Sequence, residues 1–268
     1  MKRSLVLLAA GLNYAMFLGV FLYAVGFIGS FLTPTRLDGP AAEPWPQALA
    51  INLLLVLTFG LQHSLMARPA FKRWLARFVP MPMERGVYML ATNLALALLF
   101  WQWRPMGAPV WDVTAPAARM AVWSLFACGW LTVLATTFLI NHFDLFGLRQ
   151  AWLYFRGRDY SHLAFATPGP YQIVRHPLYV GWLVAFWATP TMGLAHFLFA
   201  LGMTAYILTA IPFEERNLVN LHGEPYEAYR RRVPMLIPRL RWTATTSPRG
   251  KEAVTAASRG PAPQTLEA

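Results

Sequence analysis

One cysteine, Cys128, stands in a chain of 268 residues. A single thiol excludes an internal disulfide and a cysteine-based metal cluster. Its setting in the apolar run Ser124-Leu-Phe-Ala-Cys-Gly-Trp130 predicts an inert buried thiol rather than a nucleophile. Charge is scarce as well: Asp, Glu, Lys and Arg make up 13% of the residues, against roughly 25% in an ordinary soluble domain. Acidic residues are the rarest class, 12 against 23 basic, for a formal net charge of +11. That excess does not point to nucleic acid, because Lys and Arg fall in loops between apolar runs and form no basic stripe on a soluble face. It reads as membrane topology.

What fills the chain instead is apolar: 56% hydrophobic residues, including 18 Phe, 11 Trp and 10 Tyr. A hydrocarbon core about 30 Å thick calls for about 20 apolar residues per helix. Runs of that size occur at Leu5–Leu32, Trp45–Met66, Val87–Trp103 and Arg119–Asn141. A longer run, Leu178–Phe213, is interrupted at 188–193, where Pro190 and Gly193 predict a helical hairpin. The expected fold is all-α, a polytopic transmembrane bundle of five to six spans that contacts the lipid bilayer directly. The first run is too long for a signal peptide and is expected to stay as a span. Lys2 and Arg3, then Arg68, Lys72, Arg73, Arg77 and Arg85, then Arg149, Arg156, Arg158 and Arg175 occupy alternate connections. The positive-inside rule puts these on the cytoplasmic side, with both termini there if the crossings are even in number. Residues 1–241 are expected to form the membrane domain. Trp242–Ala268, rich in Thr, Ser, Ala, Pro and Gly, is expected to be a disordered cytoplasmic tail.

The densest set of unusual residues lies between Thr167 and Pro238. Arg175 and His176 precede Pro177, a residue suited to the first turn of a helix, so both are expected at a helix N-terminus able to receive a carboxylate or a ribose hydroxyl. Past the hairpin, Ile211-Pro-Phe-Glu-Glu-Arg216 places two carboxylates at the end of an apolar helix, where ionisable groups usually face a partner or a cavity. Tyr226 and Tyr229 stand three apart, on one helix face, and Pro234 and Pro238 end that helix. A hairpin brings its two ends together, so the Arg-His-Pro start and the Glu-Glu end are expected at one mouth.

This order of motifs resembles the isoprenylcysteine carboxyl methyltransferase superfamily, with Arg-His-Pro-x-Tyr-x-Gly, then Glu-Glu, then Gly-x-x-Tyr-x-x-Tyr and Val-Pro-x-x-x-Pro all present in sequence. The resemblance implies a site for S-adenosylmethionine within about 167–238, formed by Tyr171, Arg175, His176, Tyr179, Gly181, Glu214, Glu215, Tyr226 and Tyr229. Two further segments, Phe59-Gly-Leu-Gln-His-Ser-Leu-Met-Ala-Arg-Pro-Ala-Phe-Lys72 and Ile140-Asn-His-Phe-Asp-Leu-Phe-Gly-Leu-Arg-Gln-Ala-Trp152, are similar to those of bacterial methanethiol S-methyltransferases. The first of them also resembles a membrane family linked to denitrification. The likeness implies a bacterial inner-membrane enzyme that methylates a small apolar thiol, methanethiol to dimethyl sulfide, by direct displacement without a metal or an obligatory protein partner.

A thiolate attacks far better than a thiol, so a base or a cation near the sulfur is useful. His63 and Asp144 are the candidate proton acceptors, and Arg149 is placed to hold Asp144 or the donor's carboxylate. Other acceptors, a prenylcysteine carboxylate or a lipid amine, are compatible with the same donor site. A haem- or quinone-binding protein ligated through His63, His142 or His196 is the non-enzymatic alternative. His162 and His222 carry less weight.

Overall fold

Long apolar stretches free of interior breaks wind into helices because a backbone in lipid has to satisfy its own hydrogen bonds. In the computed structural model, which describes residues 2–41, 43–161 and 163–239, four helices are long and apolar enough to cross a membrane: α1 (Lys2–Gly29), α2 (Trp45–Ala67), α5 (Pro116–Leu139) and α9 (Leu194–His222). The short α3 (Pro69–Leu75) follows α2. Helix α4 (Met81–Gln102) has 22 residues, a rise of about 33 Å, but carries Glu84, Arg85 and Asn93. Prolines occupy the first turn of α2, α4 and α5, where a missing N–H costs nothing.

Beyond α5 come the short α6 (His142–Leu145) and α7 (Leu148–Phe155), a 3₁₀ turn (Gly169–Gln172), α8 (Pro177–Trp187), then α9 and α10 (Glu224–Arg232). The described strands are β1 (Pro109–Asp112) and β2 (Thr191–Gly193), paired antiparallel. They join the connection before α5 to the turn of the α8–α9 hairpin. His162 and the expected tail Trp242–Ala268 lie outside the described residues.

The hairpin has unequal arms, and two expectations, the end of α9 and the burial of Cys128, need correction. Helix α8 has 11 residues, a rise of about 16 Å that covers about half a hydrocarbon core, so the hairpin has one long arm and one short one. Helix α9 does not stop at Phe213 but runs on to His222, leaving Glu214 and Glu215 within a helix rather than at its close. Cys128 is exposed on α5 rather than buried.

The core is aromatic and aliphatic, with Phe27, Leu99, Trp103, Phe186, Phe199, Ile207 and Ile211 buried. Leu5, Leu8, Leu12 and Leu22 of α1 are exposed, as expected of side chains that face lipid. Helices α5 and α8 approach closely because each presents a glycine. A Cβ on Gly181 would stand 2.9 Å from the Gly129 carbonyl oxygen, and one on Gly129 would stand 2.7 Å from the Ala185 nitrogen. Small residues at such crossings let helix backbones pack by van der Waals contact in lipid.

The two ends of the bundle differ. At one end Asp38 accepts the Gly193 N–H and contacts His196, and Glu43 pairs with Arg104. At the other end lie the start of α1, with Arg3 over the Tyr154 ring, and α6, α7, α10 and the start of α8.

Candidate active site

The Arg-His-Pro and Glu-Glu motifs meet, as the hairpin predicts. Arg175 donates from Nε to Glu215 Oε1 at 2.7 Å, and from Nη1 to the carbonyls of Val233 at 2.6 Å and Arg230 at 3.1 Å. It therefore caps the C-terminus of α10, where unpaired carbonyls and the negative dipole end favour a cation. The segment after α10 is held by backbone bonds too, Arg175 N–H to the Pro234 carbonyl at 2.8 Å and His176 N–H to Met235 at 3.2 Å. His176 Nε2 donates to the same Glu215 oxygen at 3.1 Å. Glu215, with 10% of its side chain exposed, is thus neutralised by two basic partners.

Its neighbour is different. Consecutive residues on a helix point about 100° apart, and Glu214 leaves 44% of its side chain exposed. Its Oε2 accepts the Tyr179 hydroxyl at 2.7 Å and lies 4.0 Å from His176 Nδ1. Of the tyrosines, Tyr179 is the one in hydrogen-bond contact with Glu214 among the described residues, and the Glu214 charge is also felt at the Tyr171 and Tyr226 phenols outside the spans. Burial, reinforced by that charge, raises the Tyr171 phenol above its ordinary value. Burial likewise raises Tyr226 and pushes Tyr229 up to about 12, with Arg175 pulling the other way. These phenols stay protonated near neutrality and serve as donors. Tyr229 gives its proton to the Tyr171 carbonyl at 2.6 Å. Tyr226 and Tyr229 stand 5.8 Å apart on α10 and both contact the Phe165 ring.

The residues assigned to a donor site therefore divide. Glu214, half-exposed, and Tyr179, which donates to it, form one part, with Tyr171 within reach of the Glu214 charge. Arg175, His176, Glu215, Tyr226 and Tyr229 form the frame that holds that part. Gly181 joins neither group; it faces α5 at the Gly129 crossing, so its part is helix packing.

His63, near the end of α2, has Tyr88 and Thr92 of α4 against its nitrogens and Phe59 stacked on its ring at 5.4 Å. Tyr206 of α9 makes an edge contact with it at 6.4 Å and accepts the Ser64 hydroxyl at 3.3 Å. Asp144 is held elsewhere: Arg149 Nη1 donates to its Oδ1 at 2.8 Å and Tyr160 to its Oδ2 at 3.3 Å. Arg149 also donates to the Ser161 carbonyl. With both oxygens engaged, Asp144 organises the α6–α7 turn. That turn comes close to α4 at Gly147, whose φ of +85° and lack of a Cβ let it approach Arg85 Cβ.

Tyr88, Tyr206 and Arg85 are absent from the sequence assignment. Arg85 acts electrostatically on His63, Tyr88 and Tyr160 and so lies between the His63 and Asp144 groups. The tyrosines sit at helical spacing inside apolar runs, where an aromatic residue is ordinarily a lipid or core contact. The one available signal is the hydroxyl, which has to find a partner once buried. Of the other histidines, His196 bonds the Phe186 carbonyl and Asp38 at the far end of the bundle, and His142 bonds Tyr14 and Thr137.

Comparison with known proteins extends over nearly the whole described chain. A methanethiol S-methyltransferase of Mycobacterium tuberculosis is 51% identical over 238 residues, 89% of this chain and 98% of that protein. One from Crocosphaera subtropica is 53% identical over 238 residues, covering 89% and 93%. Nurim of Mus musculus is 31% identical over 188 residues, 66% of this chain and 70% of nurim. No family model matches the chain, and neither does any solved structure.

Proposed function

The chain belongs to the methanethiol S-methyltransferase family, and from that premise we propose that it moves the methyl group of S-adenosylmethionine to methanethiol, giving dimethyl sulfide. The observation that carries the choice of donor is the contrast between the adjacent carboxylates. Glu215 is engaged by Arg175 at 2.7 Å and His176 at 3.1 Å, whereas Glu214 is 44% exposed, accepts the Tyr179 hydroxyl and has only the distant His176 Nδ1, at 4.0 Å, as a basic neighbour. A half-exposed carboxylate beside aromatic faces suits a compact organic cation, through charge and cation–π attraction. A sulfonium is such a cation, and when bound it supplies an electrophilic methyl group.

The chain's own residues then act by placement. Glu214 and Tyr179 hold the positive centre, and the Arg175–Glu215–His176 cluster fixes the start of α8 and the end of α10 around it. Apolar side chains of α2, α4 and α9 exclude water from the thiol side, where a desolvated sulfur reacts faster. Arg85 supplies a positive potential at His63 and Tyr88 that favours thiolate over thiol. The positive-inside rule supports a cytoplasmic position for the basic connections at this end, in a bacterial inner membrane, with both termini on that side and residues 1–241 as the catalytic unit.

The test is headspace gas chromatography of detergent-purified protein with S-adenosylmethionine and methanethiol, beside calorimetry of donor binding. Enzyme-dependent dimethyl sulfide is the expected result. Donor binding without dimethyl sulfide, followed by turnover of a prenylcysteine or a lipid amine, overturns the small-thiol assignment. Absence of donor binding overturns the site.

A further inference from the structure

Between α1 and α7 the outer surface of the bundle is grooved. Ser4, Leu7, Leu8, Gly11 and Leu12 recur at the three- and four-residue spacing of one helix face, and with Phe155 they line an apolar groove of about 410 Å³. Gly11 keeps it open, since a Cβ at that position would meet nothing within 4 Å. From Ser4 to Leu12 the helix rises about 12 Å, close to half of a hydrocarbon core about 30 Å thick. The groove therefore has the depth of one leaflet, on the helix whose apolar window is 6% buried in the bundle.

The Ser4 end of the groove is basic. Arg3 precedes Ser4, and Arg156 follows Phe155. Gly157, at a φ of +68°, joins the two: a Cβ there would stand 2.8 Å from Arg3 Nη1, so glycine admits the Arg3 guanidinium to the turn that carries Arg156 and Arg158. Arg3 lies over the Tyr154 ring at 5.4 Å and Arg156 over the Trp152 ring at 5.8 Å. Both stems thus follow apolar surface while the charged heads stay outside. Lys2 and Arg158 are exposed beside them. Among the described residues no ion pair engages any of these four, and the one acid in residues 2–12 and 150–159 is Asp159.

We propose that this groove binds an anionic phospholipid, one acyl chain lying along the Leu7, Gly11 and Leu12 face and the phosphate resting on Arg3, Arg156 and Arg158. Cations without a counter-charge at a membrane interface select a headgroup of net negative charge, whereas a zwitterionic headgroup brings an ammonium that the same cations repel. A lipid seated there bridges Arg3 of the first span to Arg156 and so ties the short α7 to α1. The site shares no residue with the Glu214 group, goes beyond the methyltransferase reading and does not rest on it.

The experiment is native mass spectrometry of the full-length protein, delipidated in detergent and titrated with phosphatidylglycerol or with phosphatidylcholine of the same acyl chains, beside melting temperatures in the same mixtures. One phosphatidylglycerol should be held at least about tenfold more tightly than phosphatidylcholine, and it should raise the melting temperature. Gly11→Leu fills the groove and should abolish that retention. Its lipid-free melting temperature should equal or exceed that of the wild type, because leucine is the better helix former. Gly19→Leu, at a second open position about two turns further along α1, should retain the lipid. Arg3→Gln combined with Arg156→Gln should weaken binding about thirtyfold, about fivefold for each basic side chain removed. Equal retention of both lipids by the wild type, or unchanged retention in Gly11→Leu, overturns the proposal. An equal rise in melting temperature with inorganic phosphate alone also overturns it, by assigning the arginines to a free anion. A dimer that Gly11→Leu dissociates overturns it as well, by assigning the groove to a second copy of this chain.

Discussion

Two histidines in this molecule stand beside the same residue types and differ in geometry and in what lies beyond. At His142, Thr137 gives its proton to the Leu134 carbonyl at 2.7 Å and faces the ring at Nδ1, 2.8 Å away, while the Tyr14 hydroxyl reaches Nε2 at 2.7 Å. At His63 the residue types are the same, Thr92 and Tyr88, but the Tyr88 hydroxyl stands over the ring, 2.8 Å from Nε2 and 3.0 Å from Nδ1. At His142 the pattern dictates a neutral ring with its proton on Nδ1. Around Tyr14, however, stand Phe17, Phe143 and Phe146, whereas Tyr88 shares its space with Glu214, Tyr179 and Tyr206. The first triad closes a dry aromatic box and locks α1 against the α5–α6 junction. The second lies within reach of the Glu214 carboxylate. A Thr-His-Tyr set is thus no site by itself; the groups left unengaged beside it decide what it does.

The largest expected difference comes from deleting the same atom in each triad. Tyr14→Phe should leave kcat near wild type and cost stability, about 1 kcal/mol for a lost hydrogen bond, read as a lower melting temperature in detergent. Tyr88→Phe removes a hydroxyl from the Glu214 side of the bundle and should lower turnover more than Tyr14→Phe does. Equal turnover in both would break the comparison.

The adjacent carboxylates sharpen it. Glu214→Gln should weaken donor binding about tenfold to a hundredfold, the scale of a charge-assisted contact, with little change in melting temperature. Glu215→Gln leaves Arg175 without its counter-charge in a largely buried cluster, where breaking a pair costs about 3–5 kcal/mol. That variant should unfold earlier in a thermal scan. Next in size, Thr92→Val should cut turnover about three- to tenfold through the lost contact with His63, and Thr137→Val should leave it unchanged.

What the sequence makes legible follows from the range over which each signal acts. Span lengths and the meeting of Arg175 and His176 with Glu214 and Glu215 are readable, because apolar run length and the geometry of a hairpin are local matters. The separate parts taken by Glu214 and Glu215 are not readable from a Glu-Glu pair, since the 100° turn between them acquires meaning only once α8 packs against α9. Gly181 reads as a site glycine within its motif, yet its reason for being glycine is Gly129, some fifty positions away on another helix. Asp144 reads as a base from its place near a span end. Arg149 and Tyr160, which engage both its oxygens, reach it only through the folding of the α6–α7 turn. Tyr88 and Tyr206 have no local mark at all, because each is one aromatic residue in an apolar run until α2, α4 and α9 bring the hydroxyls together.

The smallest effect tests the closed triad through pH. Burial holds the His142 imidazole below its ordinary value of 6.5, and the folded ring is neutral with both nitrogens engaged. In the unfolded chain the ring takes up a proton as pH falls through 6.5, whereas the folded chain resists it. The unfolded state therefore binds more protons below that value, and stability falls as pH drops. The contribution is fully present above about 6.5 and is lost progressively below it, by at most about 1.4 kcal/mol per pH unit. His142→Gln removes the titrating group and should flatten this part of the profile, so that the gap in melting temperature between wild type and variant narrows on going from about pH 7.5 to about pH 5.5. A gap that stays constant across that interval would place a charged His142 in the folded protein, and the closed box around it would then have to admit a counter-ion or water.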